Sequence, residues 1–232
     1  MRIRERLSRL ARLSPATIPR VVVNRLAASA RSAKERFFYR PEGPRRSAPA
    51  RSIRRLGILH ADARAAGFGG RFRQQFPEDA EQILAEADRA TRLVVDVLGS
   101  GPVDLEAFRQ RSDLRLYPGT TGAAPSEIAL ASRIPWHFDF KAGVAWPPAT
   151  FFSDVAWGAA GVDIKVPWEL SRCQHFVTLG QAYAITRDER FARAFSEQLE
   201  DWIRANPPKY GVNWACAMDV ALRAANWLFA WD

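Results

Sequence analysis

From Asp163 onward the apolar positions recur at helical spacing, and they divide into three segments of different character. In "VPWELSRCQHFVTLGQAYAI" the pattern predicts one helix from about Val166 to Ile185, with Pro167 in the first turn, where its missing N–H costs nothing. Wound at 3.6 residues per turn, it gathers Trp168, Leu170, Cys173, Phe176, Val177, Leu179, Tyr183 and Ala184 on a wide apolar arc. Ser171, Gln174, His175, Thr178 and Gln181 fall opposite, on a face that is polar but carries no fixed charge. The second segment, "DERFARAFSEQLEDWIRANPP", has Phe191, Phe195, Leu199, Trp202 and Ile203 as one stripe and Glu189, Arg193, Glu197, Glu200 and Arg204 on the other side. Asp188 is its expected N-cap, and the Pro pair at 207 and 208 its stop. The third, "NWACAMDVALRAANWLFAWD", is apolar nearly all round, with Asp219, Arg223 and Asn226 as a narrow polar stripe, and a helix of that kind is expected to be buried. Inner, outer and inner helices joined by short turns point to an all-α protein carrying the first part of an α/α toroid, with two concentric helical layers.

Upstream of residue 163 the pattern weakens. "PEDAEQILAEADRATRLVVDVLG" predicts a helix that starts at Pro77, has acids in its first turn, sets Ile83, Ala87, Leu93, Val94 and Leu98 on one side, and ends at Gly99. Residues 100–162 mix Pro pairs, Gly and scattered aromatics, and are expected to form an ordered loop region with room for short strands. Residues 41–51 and 66–71 are rich in Pro, Gly and Arg and read as linkers. The expected organisation is a basic arm over 1–56, a helix plus loop-rich region over 57–162, and the toroid portion over 163–232.

Charge sharpens this division. The chain of 232 residues has a net charge of +9, yet of its 34 Lys+Arg and 25 Asp+Glu, 16 and 3 lie in residues 1–56, so the body is mildly acidic. The clustered arginines suit a polyanion by counterion release, but Ile3, Leu7, Leu10 and Leu13 recur between them without a recognition motif, so nucleic acid is not the expected partner. No apolar run reaches the roughly 20 residues of a membrane span, and "IPRVVVNRLAASA" is interrupted by Arg20, Asn24 and Arg25, so no secretory h-region is readable. Cys173 and Cys216 sit inside apolar helical patterns and read as buried thiols rather than a disulfide or metal pair. His60 and His137 stand isolated, and no His, Cys and carboxylate cluster has metal-ligand spacing.

The stretch from Asp163 to Trp231 resembles the N-terminal toroid of the heparinase II/III-like polysaccharide lyases. Its most specific points are Trp168-Glu169, Arg172, His175, Asn206-Pro207-Pro208, Gly211, Asn213-Trp214 and Arg223. The resemblance implies β-elimination on a uronic-acid-containing, acidic polysaccharide, in the periplasm (the alternative being the cytoplasm), with no cofactor. That reaction requires a group to neutralise the uronate carboxylate, a base for the C5 proton and an acid for the leaving oxygen, and donors aimed at the developing enolate carry much of the effect. By resemblance Asn is the neutraliser, and Tyr and His of later helices and a C-terminal β-sandwich transfer protons. No match for those remains before Asp232, so a portion of a lyase lacking its base is expected.

Asn213, where a loop enters the third helix, is the candidate neutraliser, and the alternative is a cap on that helix. Gln174, His175 and Gln181 are candidates for sugar hydroxyls, or for hydrogen bonds between helix and loop; Trp214 is a candidate for stacking on a sugar ring, or for packing. Arg223 is a candidate substrate contact, or an internal partner of Asp219 at i, i+4, and Glu169 with Arg172 reads as a structural ion pair. The rivals to lysis are a non-catalytic module for acidic glycans and a polyanion-binding protein driven by the arm. A hydrolase would need two carboxylates flanking a cleft, and no convincing pair stands out. Polyanion binding carried by the arm alone is expected to weaken steeply with added salt and to vanish when residues 1–56 are removed, as a binding titration against salt would show.

Overall fold

A computed structural model describes residues 65–232, so the basic arm, the linker at 41–51 and His60 lie outside the described residues. The described residues are mostly helical. Among them, no helix is long and apolar enough to cross a membrane.

The first helices are α1, Phe68–Gln75, and α2, Pro77–Thr91. The start of α1 lies so close to the end of the later helix at residues 174–186 that a Cβ on Gly69 would stand 1.9 Å from the Ile185 carbonyl oxygen. Only glycine fits that crossing. Helix α2 begins at Pro77 with Glu78 and Asp79 in its first turn, as the sequence pattern expects. It stops at Thr91, short of Gly99: Leu93 takes a left-handed φ of 59°, and Val94–Val95 become strand β1, antiparallel to β2, Val103–Asp104. The two valines favour that extended form.

Residues 100–162, expected as an ordered loop region with room for short strands, contain short strands and also two short α-helices. Asp104 caps α3, Leu105–Arg109, by accepting from the amides of Glu106 and Ala107. A three-stranded sheet follows in the order β3, Arg115–Leu116, then β5, Val144–Ala145, then β4, Phe138–Asp139, with β3 parallel and β4 antiparallel to β5. Between β3 and β4 lies α4, Pro125–Leu130. Trp136, Phe138 and Trp146 are fully buried here and join this region to the helices.

The C-terminal helices are α5, Lys165–Ser171; α6, Gln174–Thr186; α7, Glu189–Ala205; and α8, Ala217–Trp231. Helix α7 is amphipathic, with Phe191, Phe195 and Trp202 inside, Glu189, Arg193, Glu197, Glu200 and Arg204 outside, and Asp188 accepting from Arg190 N as the N-cap. Ile203 departs from the expected stripe and is half exposed.

Two corrections matter more. The single helix expected from Val166 to Ile185 is two, broken at Cys173, which adopts a left-handed φ of 55°. Helix α8, expected to be buried all round, turns its polar stripe inward: Asp219 and Arg223 are its buried residues, while Met218, Leu222, Leu228, Phe229 and Trp231 are exposed. The central helix of this group is α6, against which α1, α2, α7 and α8 all pack. Phe176 and Leu179 on α6 have no exposed surface.

Phe176→Ala is therefore expected to lower stability by about 3–5 kcal/mol, whereas Leu228→Ala on α8 is expected to cost less than about 1 kcal/mol. Urea unfolding of the two variants checks this contrast, and equal losses would show that α8 is buried.

Candidate functional site

The break between α5 and α6 organises the polar interior. A left-handed residue ends the run of intrahelical hydrogen bonds, leaving backbone carbonyls that need partners. Side chains of α8 provide them: Asn226 Nδ2 donates to the Arg172 carbonyl at 2.8 Å, and Arg223 Nη1 donates to the Ser171 carbonyl at 3.3 Å and to Ser171 Oγ at 3.1 Å. Trp202 Nε1 of α7 also donates to Ser171 Oγ, at 2.7 Å. Fully buried Ser171 thus ties three helices together.

Arg223 is 2% exposed, and its guanidinium lies 4.2 Å from the Trp202 ring centre and 5.4 Å from that of Trp214. Burial pulls its pKa down to about 10, a cost opposed by the nearby Asp219 carboxylate, so it stays charged near neutrality. The Cys173 thiol below it is pushed up to about 12 by burial and is inert as a nucleophile. Cys173 is buried as expected, whereas Cys216 is half-buried; both are free thiols.

The expected pairing of Asp219 with Arg223 gives way to a different one. Asp219 Oδ1 accepts from Arg172 Nε at 2.6 Å, and Arg172 also pairs with Glu169 through a short Nη1 contact. The Glu169–Arg172 ion pair is as the spacing suggested; its extension to fully buried Asp219 is new. Arg172 therefore runs from the interior toward the surface, and removing either carboxylate would leave it undercompensated.

That surface is a cleft of about 330 Å³ between the end of α2, strand β1 and the start of α6. Glu169, Gln174, His175 and Thr178 line one side, and Glu86, Arg89 and Asp96 contribute from the other. Gln174 is exposed at its mouth. His175 Nε2 lies 3.0 Å from Gln198 Oε1, and Gln198 Nε2 donates to the Ala90 carbonyl at 3.0 Å, so the histidine Nε2 carries the proton. Burial pulls the His175 pKa down to about 4, partly offset by the Gln198 bond. The ring is neutral at pH 7.

The other candidates lie elsewhere. Gln181 borders a separate aromatic cavity of about 500 Å³ with Phe68, Phe72 and Trp231. Asn213 is 1% exposed and lies in a 3-10 turn, Val212–Trp214, ahead of α8, whose N-cap is Cys216. Its Nδ2 donates to the Trp136 carbonyl at 2.9 Å and to Asn206 Oδ1 at 2.8 Å, so both amide hydrogens are engaged, and it caps no helix. Trp214 donates to the Asn206 carbonyl at 3.3 Å and packs against Trp202 and Arg223. The structure thus brings Gln174 and His175 together in the cleft, and Asn213, Trp214 and Arg223 together in a buried node.

Sequence reasoning missed Asp201 and Gln198. Asp201 lies on α7 but is buried, accepting from the amides of Arg133 and Ile134 and from Trp136 Nε1 at 2.9–3.1 Å. Ala194, Gln198, Asp201 and Ala205 recur at four-three-four spacing beside the apolar stripe, which is the available signal. His137 is 3% exposed, with Nε2 on the Ala205 carbonyl at 2.9 Å and Nδ1 without a partner among the described residues. Gly211 leaves room for this ring, since a Cβ there would stand 2.7 Å from His137 Cε1.

A family model described as Heparinase II/III N-terminus matches residues 108–231. A heparin-sulfate lyase of Bacteroides stercoris is 29% identical over 109 residues, which is 44% of this chain and 16% of that protein. The chain therefore spans a small part of the length of this relative. No solved structure matches.

The two histidines generate a pH dependence. Burial pulls His137, like His175, from an ordinary 6.5 down to about 4, so below pH 6.5 the unfolded chain takes up protons that the folded chain refuses. Stability is expected to be full above about pH 6.5 and to fall toward pH 4, by on the order of 1–2 kcal/mol per histidine at pH 5. Denaturant titrations at pH 7 and 5 check this, and His175→Gln, which keeps a donor toward Gln198, is expected to reduce the loss.

Proposed function

Because this chain belongs to the heparinase II/III N-terminal family, we propose that it serves the β-eliminative cleavage of a uronic-acid-containing polysaccharide, holding the glycan on a helical framework that forms the first part of an α/α toroid. The observation that carries this reading is the family match over residues 108–231, which takes in one side of the cleft, Glu169, Gln174, His175 and Thr178, and the buried node behind it. Supporting the toroid is the packing of α7 and α8 against a central α6. In this proposal Gln174 and His175 contact the glycan. Asn213, Trp214 and Arg223 are positioning residues. For Asn213 this replaces the role of uronate neutraliser, because an amide whose two hydrogens are engaged inside the protein has none to offer a substrate.

A second reading, glycan binding without turnover, is favoured by one specific observation. A general base works best with a pKa near the operating pH, and His175, held near 4, is a weak one. Its Nε2 proton is also engaged with Gln198. His175 therefore suits contact with sugar hydroxyls better than proton abstraction.

The test is to titrate the full chain with heparan sulfate and with alginate, following heat of binding and, in parallel, ultraviolet absorbance of the unsaturated uronate product. Saturable binding that survives high salt is expected of a glycan site, because binding carried by the basic arm decays with salt. Unsaturated product assigns lysis, and salt-resistant binding without it assigns the second reading. Absence of both overturns the proposed function.

A further inference from the structure

The cleft at the start of α6 carries a charge pattern that an acidic glycan would not by itself call for. Its lining holds three carboxylates, Glu86, Asp96 and Glu169, against one guanidinium, Arg89. The adjacent His175 ring is neutral, so it does not redress the balance.

Glu169 differs from the other two acids in being fixed. Its side chain is 18% exposed, and one of its oxygens pairs with Arg172, which is itself anchored on fully buried Asp219. Its second oxygen accepts no hydrogen bond from a described residue. Glu86, by contrast, accepts from Gln82 on its own helix, and Asp96 is exposed. Gln174 and Thr178, one turn apart on α6, stand on the same face as neighbours and add an amide and a hydroxyl to the lining. The cleft thus combines a pre-oriented carboxylate acceptor with two groups that both donate and accept. That set matches the O–H groups of a sugar ring, since hydroxyl-to-carboxylate bonds are short and strong.

An anionic ring substituent meets the opposite response. A sulfate or carboxylate beside Glu169 is repelled, and the repulsion grows as the local dielectric falls below that of water. We propose that this cleft is a subsite for an uncharged, hydroxyl-rich sugar unit of the glycan, with Glu169 as its specificity-determining acceptor and Gln174 and Thr178 as flanking contacts. This rests on the glycan-binding reading above and narrows it: the anionic units of the polymer are bound outside this cleft.

The test compares two probes of equal length on the full chain, an unsulfated uronate–hexosamine oligosaccharide and its sulfated counterpart, by calorimetry at fixed ionic strength. The basic arm is common to all variants, so its contribution cancels when each variant is compared with the parent. Glu169→Gln is expected to weaken binding of the unsulfated probe about tenfold and to strengthen binding of the sulfated one several-fold. Gln174→Ala, at an exposed position, leaves the fold intact and is expected to weaken the unsulfated probe about fivefold while leaving the sulfated probe unchanged. If the ratio of the two affinities is the same in the parent and both variants, the subsite assignment is wrong while glycan binding stands. If neither probe binds the parent, the glycan-binding reading falls, and the subsite with it.

Discussion

The structure turns on one interrupted helix. Cys173 takes a left-handed conformation without being glycine, which costs about 1–2 kcal/mol of backbone energy for an L residue. What offsets that cost is on another helix: Arg223 and Asn226 of α8 donate to the carbonyls of Ser171 and Arg172, the two residues just before Cys173. Trp202 of α7 completes the set through Ser171 Oγ. Continuing α5 straight into α6 would leave a buried guanidinium and a buried serine hydroxyl without these partners, and unpaired buried polar groups cost more than the strain of one residue.

The interruption also sets what reaches the surface. It lets Arg172 extend between buried Asp219 and partly exposed Glu169, so the orientation of a carboxylate at the cleft is fixed by a charge in the interior. It likewise starts α6 at Gln174, placing Gln174, His175 and Thr178 beside strand β1 and the end of α2. Asn213 and Asn206 bridge the loop ahead of α8 to the Trp136 backbone, which fixes the position from which Arg223 reaches inward. The residues that line the cleft and the residues that support it are therefore distinct groups, linked through Ser171 and Arg172.

Much of this was legible along the chain, and the failures have definite causes. Helix α7 was readable because its charged side alternates Glu and Arg against an aromatic stripe, and Asp188 is a cap with an obvious side chain. The polar, uncharged face of α6 marked the cleft for Gln174 and His175, though Gln181 on the same face reaches a different cavity. The break at Cys173 carries no local mark, since no Gly or Pro stands there and the partners that stabilise it lie about fifty residues away. Helix α8 misled for a related reason: with apolar residues nearly all round, periodicity leaves open which side faces inward, and the buried side proved to be the narrow polar one that meets Ser171 and Arg172. Asp219 and Arg223, one turn apart, were natural partners by spacing, yet each satisfies a group on the broken helix.

The central claim is that the cleft shaped by this break is where the protein meets a glycan. Its most direct test is to record backbone amide chemical shifts while titrating the chain with an unsulfated uronate oligosaccharide. Perturbations concentrated at residues 94–98 and 174–178 are expected. Saturating shifts confined to other surfaces, with those amides unmoved, would contradict it.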